Sequence, residues 1–103
     1  MKDMQGIFRQ AQQMQERLAR LQEELAGRTV EASSGGGMVT VVVNGRQEVL
    51  SVRIEKEVVS PEEVELLQDL VTGAVNEAII RSRKMMADEM AKITGGLNLP
   101  GLF

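Results

Sequence analysis

MVTVVVNGRQEVLSVRI, residues Met38 to Ile54, is the densest block of β-branched residues in the chain, and Asn44-Gly45 divides it. Both central positions of a type I′ turn require positive φ, which Asn and Gly tolerate, so this dipeptide between two apolar runs predicts a β-hairpin. Alternation places Val39, Val41 and Val43 on one face of the first strand, and Leu50, Val52 and Ile54 on one face of the second. A lone hairpin is not stable in water. Long helical patterns flank it on both sides, and these are expected to cover the sheet.

Upstream, Met4, Ile7, Ala11, Met14, Leu18, Leu21 and Leu25 alternate spacings of three and four. This heptad seam predicts a helix over 2–26 that lies lengthwise on another helix. At ~1.5 Å per residue such a rod is nearly 40 Å long, so part of it is expected to project beyond a small sheet. Thr29–Ser33 reads as a short strand with Val30 and Ala32 on one face. Gly35-Gly36-Gly37 lacks the Lys-Ser/Thr and the helix start of a phosphate loop, and reads as a flexible reversal between strands.

Downstream, Ser60-Pro61-Glu62-Glu63 has the form of a helix start, with Ser as N-cap, Pro at the first helical position and Glu63 closing a capping box. Val64, Leu67, Leu70, Val71, Ala74, Val75, Ala78 and Ile79 give the helix a broad apolar face for the sheet. Gly73, among small neighbours, permits close approach of another element. Beyond Ile80 the pattern thins to Met85, Met86, Met90 and Ile93 among Arg81, Arg83, Lys84 and Lys92, a half suited to pairing with the first helix. The helix is expected to stop at Thr94, capped by Gly95-Gly96. The expected architecture is α+β in the order α-β-β-β-α. It has a long N-terminal helix (2–26), a three-stranded antiparallel sheet (29–33, 38–44, 48–55) and a long C-terminal helix (61–94). Together these form one domain over 1–94, with a flexible tail over 95–103.

The 103 residues include two Phe, no Trp, no Tyr and seven Met, so Val, Leu and Met must do the packing. Two long helices with so few large side chains predict burial between subunits, most simply in a two-fold dimer. Cys and His are both absent. That excludes disulfides, thiolate chemistry and the usual zinc sites, and removes the commonest general base. No serine has a histidine to activate it, and Asp88 and Glu89, adjacent on a helix, point apart. The chain is therefore read as a binding or structural protein, not an enzyme, with no metal or other cofactor and no small-molecule substrate. No apolar run approaches a membrane span, and the expected location is the cytoplasm.

The polar face of the first helix supports two readings. Lys2, Arg9, Gln13, Arg17 and Arg20 fall close together, roughly opposite the seam. They form either a solvated face with i,i+4 pairs such as Glu16–Arg20 and Arg20–Glu24, or a row of cations and amides able to contact phosphates. The Met residues of the last helix likewise read as a helix–helix seam or as a plastic binding surface. Net charge is −3, against the basic balance usual in nucleic-acid binders. Phosphate contact depends on potential within a Debye length of ~8–10 Å, however, so acids such as Glu62, Glu63, Glu65 and Asp69 need not cancel a distant basic arm. Without aromatic side chains to stack on bases, duplex backbone contact is what remains.

Four strings in order, QAQQMQERLARLQEEL, GGGMVTVVVNG, SPEEVELLQDLVTGAVNEA and GGLNLPGLF, resemble the YbaB/EbfC nucleoid-associated proteins of bacteria across essentially the whole chain. The resemblance implies a homodimer joined through its sheets, with Val39, Val41, Val43, Leu50, Val52 and Ile54 on the joined strands and paired helices projecting as arms. It implies a DNA-binding, nucleoid-associated protein that grips duplex DNA with little sequence preference, organises the chromosome and takes part in gene regulation. Carried over by region, it points to Arg9, Arg17 and Arg20 on the first helix and to Arg81, Arg83, Lys84 and Lys92 on the last. Glu16, Glu23, Glu24, Asp88 and Glu89 lie among these cations. A rival from another class is a prefoldin-like holdase that grips protein clients with the Met-rich helix end and the apolar tail Leu97–Phe103.

Overall fold

The computed structural model describes residues 2–97, with side chains for residues 3–92. Helix α1 spans Lys2–Ala26, followed by strands β1 (Thr29–Ser34), β2 (Val39–Asn44) and β3 (Val49–Ile54), and helix α2 (Val64–Leu97) closes the order. The sheet is antiparallel in the order β1-β2-β3, so β2 is central. This is the α-β-β-β-α architecture expected from the sequence.

Alternation on β2 builds the core. Val39, Val41 and Val43 are fully buried with Ala32, Ala74 and Ala78, and Val30, Leu67, Leu70, Val71 and Val75 pack around them. The small Ala74 and Ala78 let α2 settle onto the valines of β2. Two hydroxyls fix its line across the sheet. Ser34 Oγ donates to the Leu70 carbonyl at one end of β2, and the buried Ser82 Oγ donates to the Asn44 carbonyl at the other, 2.7 Å away. The ~18 Å of helix between Leu70 and Ser82 matches a six-residue strand, so α2 runs along β2 and leaves the sheet at its Asn44 end.

Neither reversal takes the simplest form. The β2–β3 connection is not a two-residue Asn-Gly turn: the residue with positive φ is Gln47 (63°), and neither Asn44 nor Gly45 is left-handed. Gly45, Arg46 and Gln47 form a three-residue loop closed by Gln47 N to Asn44 O (3.0 Å) and Asn44 N to Glu48 O (3.1 Å). That is a turn followed by one left-handed residue, the next commonest hairpin solution. Asn44 holds it, its Oδ1 accepting from the amides of Arg46 (2.9 Å) and Glu48 (3.0 Å). The β1–β2 reversal uses three left-handed glycines, Gly35, Gly36 and Gly37.

Three further expectations are corrected. The capping box does not form: Ser60 Oγ donates to Glu62 Oε2, and Pro61–Glu63 is a 3-10 turn ahead of α2. Helix α2 does not stop at Thr94 but continues through Gly95-Gly96 to Leu97. The rest of the expected tail, residues 98–103, lies outside the described residues. On α1, neither Glu16–Arg20 nor Arg20–Glu24 pairs, and no ion pair among the described residues lies within that helix.

Candidate nucleic-acid interface

Helix α1 is seated at its C-terminal end and bare at its start. Leu25 is buried, Leu21, Leu18 and Met14 are half-buried, and residues 3–13 are all exposed. The seat is tight because Gly45 has no side chain: a Cβ there would lie 2.1 Å from the Leu25 carbonyl oxygen and 3.1 Å from Met86 Sδ. The glycine that was expected to serve turn geometry instead lets a helix end touch the hairpin. Met85, Met86 and Met90 are half-buried at this joint, so the Met-rich segment serves as a seam. That removes much of the exposed surface the holdase reading needs.

The joint also carries charge. Arg28, just after α1, donates to Glu89 Oε1 of α2 at 2.8 Å, and Lys92 Nζ reaches the same oxygen at 3.1 Å. The Arg28 hydrogen bond above all, with Lys92 second, holds the Glu89 carboxyl below its ordinary range. Arg28, Arg81, Lys84 and Lys92 line one open groove with Met85, Asp88 and Glu89.

The expected DNA-contacting cations divide into two groups. Those on α2 are engaged. Arg81 donates to the Glu31 carbonyl (2.7 Å) and to Glu77 (3.4 Å), Arg83 to Gln47 (3.4 Å), Lys84 to Asp88 (3.1 Å) and Lys92 to Glu89. Arg81 and Arg83 thereby tie α2 to the sheet and to the hairpin loop. Arg9, Arg17 and Arg20 on α1 are exposed and make no hydrogen bond or ion pair among the described residues. Residues 2–20 carry Lys2 and these three arginines against only Asp3 and Glu16. Sequence reasoning passed over Arg46. Its place in a hairpin loop was the available signal, and it lines a groove with Ala19, Gln22, Glu23 and Met86 beside the arm.

A cluster of six acids lies at the other end. Glu55, Glu57, Glu62, Glu63, Glu65 and Asp69 are exposed around the start of α2, and Met38, next to the glycine turn, pairs with Glu55 through its carbonyl. The sheet separates this end from the Asn44 end, where α1 is seated. The molecule extends 74 Å along its long axis, several times a Debye length of ~8–10 Å, so this cluster is screened from the exposed outer part of the arm.

Strand β3 is the uncovered part of the sheet. Val52 pairs with Val41 and Ile54 with Val39, so they share the core face, and an irregularity near Val43 displaces Leu50. Helix α2 lies over β1 and β2, leaving Leu50 54% and Val52 43% exposed. Val39, Val41 and Val43 are closed off beneath α2 of their own chain. Leu50, Val52 and the half-buried Ile54 are the residues of that set still accessible to a second copy. Among the described residues there is no acidic, His or Cys cluster able to hold a metal, and no helix long and apolar enough to cross a membrane.

Comparison with known proteins adds sequence and fold relatives. Residues 1–97 match the model of the YbaB/EbfC DNA-binding family. A nucleoid-associated protein of Syntrophobacter fumaroxidans is 61% identical over 95 residues, covering 92% of this chain and 86% of that protein. One from Thermoanaerobacter pseudethanolicus is 56% identical over 98 residues, covering 95% of this chain and 88% of its relative. The crystal structure of an uncharacterized protein of Helicobacter pylori superposes with a TM-score of 0.66 at 23% identity, covering 81% of this chain and 96% of that one. It shares the fold.

Proposed function

Because the chain belongs to the YbaB/EbfC DNA-binding family, we propose that it binds duplex DNA as a homodimer, with α1 as the contacting arm and phosphates as the ligand. The family and the names of its relatives describe a nucleoid-associated DNA-binding protein rather than an enzyme. The observation that carries the reading is the bare basic arm: Arg9, Arg17 and Arg20 project without a hydrogen-bond or ion-pair partner among the described residues, far from the acidic end. Lys84 and Lys92 join them at small cost, since exposed ion pairs contribute only ~0–1 kcal/mol and yield readily to a phosphate. Arg46 extends the same basic track at the arm's root. Backbone contact of this kind carries little sequence information, which suits a role in chromosome organisation at the nucleoid, with effects on gene regulation following from occupancy. Two copies joined along β3 would present two such arms to one duplex.

A salt-titrated mobility shift on random duplex tests this. Arg17→Glu with Arg20→Glu is expected to weaken binding and to reduce the log–log salt slope by about 1 for each phosphate no longer neutralised. Helicity stays unchanged, because neither side chain supports the fold. Unaltered affinity and slope in that variant would remove α1 as the DNA-binding element.

A further inference from the structure

The outer half of α1 is a seam without a partner. Met4, Ile7, Ala11 and Met14 continue the three-and-four spacing of the seated half, yet residues 3–13 are all exposed and Met14 is only half-buried. Met4, Ile7 and the neighbouring Phe8 are 65%, 64% and 73% exposed. Such spacing makes a narrow apolar stripe that fits one other helix lengthwise. Counting ~100° per residue, the stripe lies roughly opposite Arg9 and Arg20, so phosphate contact through them leaves it unused. Gly6 adds to the need for cover. A Cβ there would meet nothing within 4 Å, and glycine inside an exposed helix weakens a rod that is already marginal without packing.

The residues beside the stripe say what fits it. One flank carries Asp3, Gln10 and Arg17, which precede Met4, Ala11 and Leu18; the other carries Phe8 and Gln15, which follow Ile7 and Met14. With an acid at its outer end and a base at its inner end, the first flank complements itself when a second copy runs the opposite way. Neither Asp3 nor Arg17 makes a hydrogen bond or ion pair among the described residues. With the two-fold at the level of residue 9, Met4 of each copy meets Met14 of the other, and Ile7 meets Ala11. The same alignment sets Asp3 against Arg17 at both ends and Phe8 against Phe8 in the middle. Its overlap of residues 3–17, ~21 Å long, stops short of Leu21 and Leu25, where α1 is seated.

Other alignments fit worse. A parallel pair sets Asp3 beside Phe8 and Arg17 beside Gln22, so no opposite charges meet. The antiparallel register one heptad deeper sets Asp3 against Glu24, and it needs Leu18 and Leu21, already half-buried in the single chain. We propose that the outer halves of α1 from two copies dock antiparallel over Met4, Ile7, Phe8, Ala11 and Met14, with Asp3 and Arg17 fixing the register. One short helix pair is small beside a standard interface of ~800 Å² on each partner, so the contact forms where copies are concentrated. It uses no residue of β3, and one chain can therefore take part in both contacts. This inference stands independently of the DNA reading.

The chain has no cysteine, so single thiols can report the register, and no DNA is needed. Chains carrying Ile7→Cys and chains carrying Ala11→Cys are mixed in equal amounts and oxidised with diamide. Peptide masses are expected to show position 7 joined to position 11 between chains. This linkage should form about tenfold or more faster than in Gln5→Cys chains, where the thiol lies off the stripe. Linkage of 7 to 7 and 11 to 11 in its place would mean a parallel pair, and a rate no faster than that of Gln5→Cys would mean no pair. Either result overturns the proposal. Adding Asp3→Arg to both chains is expected to slow the 7-to-11 linkage about tenfold, and adding Arg17→Asp as well to restore it. An unchanged rate, or no recovery in the doubly exchanged chains, would also overturn it.

Discussion

Gly45 and Glu89 are the two residues on which the arm's pose depends. Gly45 is buried, and its missing Cβ is the space that the Leu25 carbonyl occupies. Glu89 joins the root of the arm to α2 by accepting from Arg28 and Lys92 on one carboxylate oxygen. Because its carboxyl is held below the ordinary value of 4.5, protonation opposes the folded arrangement. The stabilisation is fully present above that ordinary value and is lost as pH falls through the lower value of the folded protein. In urea denaturation, Glu89→Gln is expected to be the less stable form at neutral pH. The gap between variant and wild type should close as pH falls below the ordinary glutamate range. A gap that persisted unchanged into acid would mean that charge at this joint contributes nothing.

At the scale of the element, the two helices differ in what specifies them. Helix α1 has a regular seam but tertiary cover for only its last half, so its exposed half relies on its own helix-forming residues and on whatever docks there. Helix α2 is held along the sheet between Leu70 and Ser82, and runs on through two glycines that would ordinarily end a helix. Since Gly95 lies inside the helix and not at a left-handed cap, Gly95→Ala should raise helix stability by up to about 1 kcal/mol. A glycine acting as a C-cap would give the opposite sign, so the direction of the change in thermal melting followed by circular dichroism decides between the two. The hairpin behaves in a related way. Asn44 was legible as a turn residue, but its use was not: its side chain organises a longer loop and leaves the positive φ to Gln47.

The whole molecule is a small sheet with an acidic end and a basic arm on opposite sides of it. Its net charge of −3 says little about either. The exposed apolar residues of β3 have no cover among the described residues, and the β3 edge of the sheet is where the proposed second copy would join. Leu50→Glu with Val52→Glu is expected to halve the particle mass in sedimentation equilibrium while leaving far-ultraviolet dichroism nearly intact, because both side chains already face solvent in the single chain. A variant that kept the wild-type mass would place the subunit contact elsewhere. Val41→Glu is no substitute in this experiment, because Val41 is sealed under α2 and a buried charge there would unfold the core.

Periodicity in the sequence determined the order and kind of the elements, the face of β2 that is buried and the heptad seam of α1. These are local patterns in which each residue reports its own environment, so they survive without knowledge of the fold. Only the tertiary structure decided which cations are spent on the protein itself. Arg81 and Arg83 look like Arg17 and Arg20 in sequence, yet the former reach a strand carbonyl and a loop amide contributed by residues 50 and 36 positions away. The path of α2 across the sheet makes that pairing. The same holds for Gly45, required by the approach of a helix end from far along the chain, and for β3, exposed because α2 is narrow enough to cover only two strands.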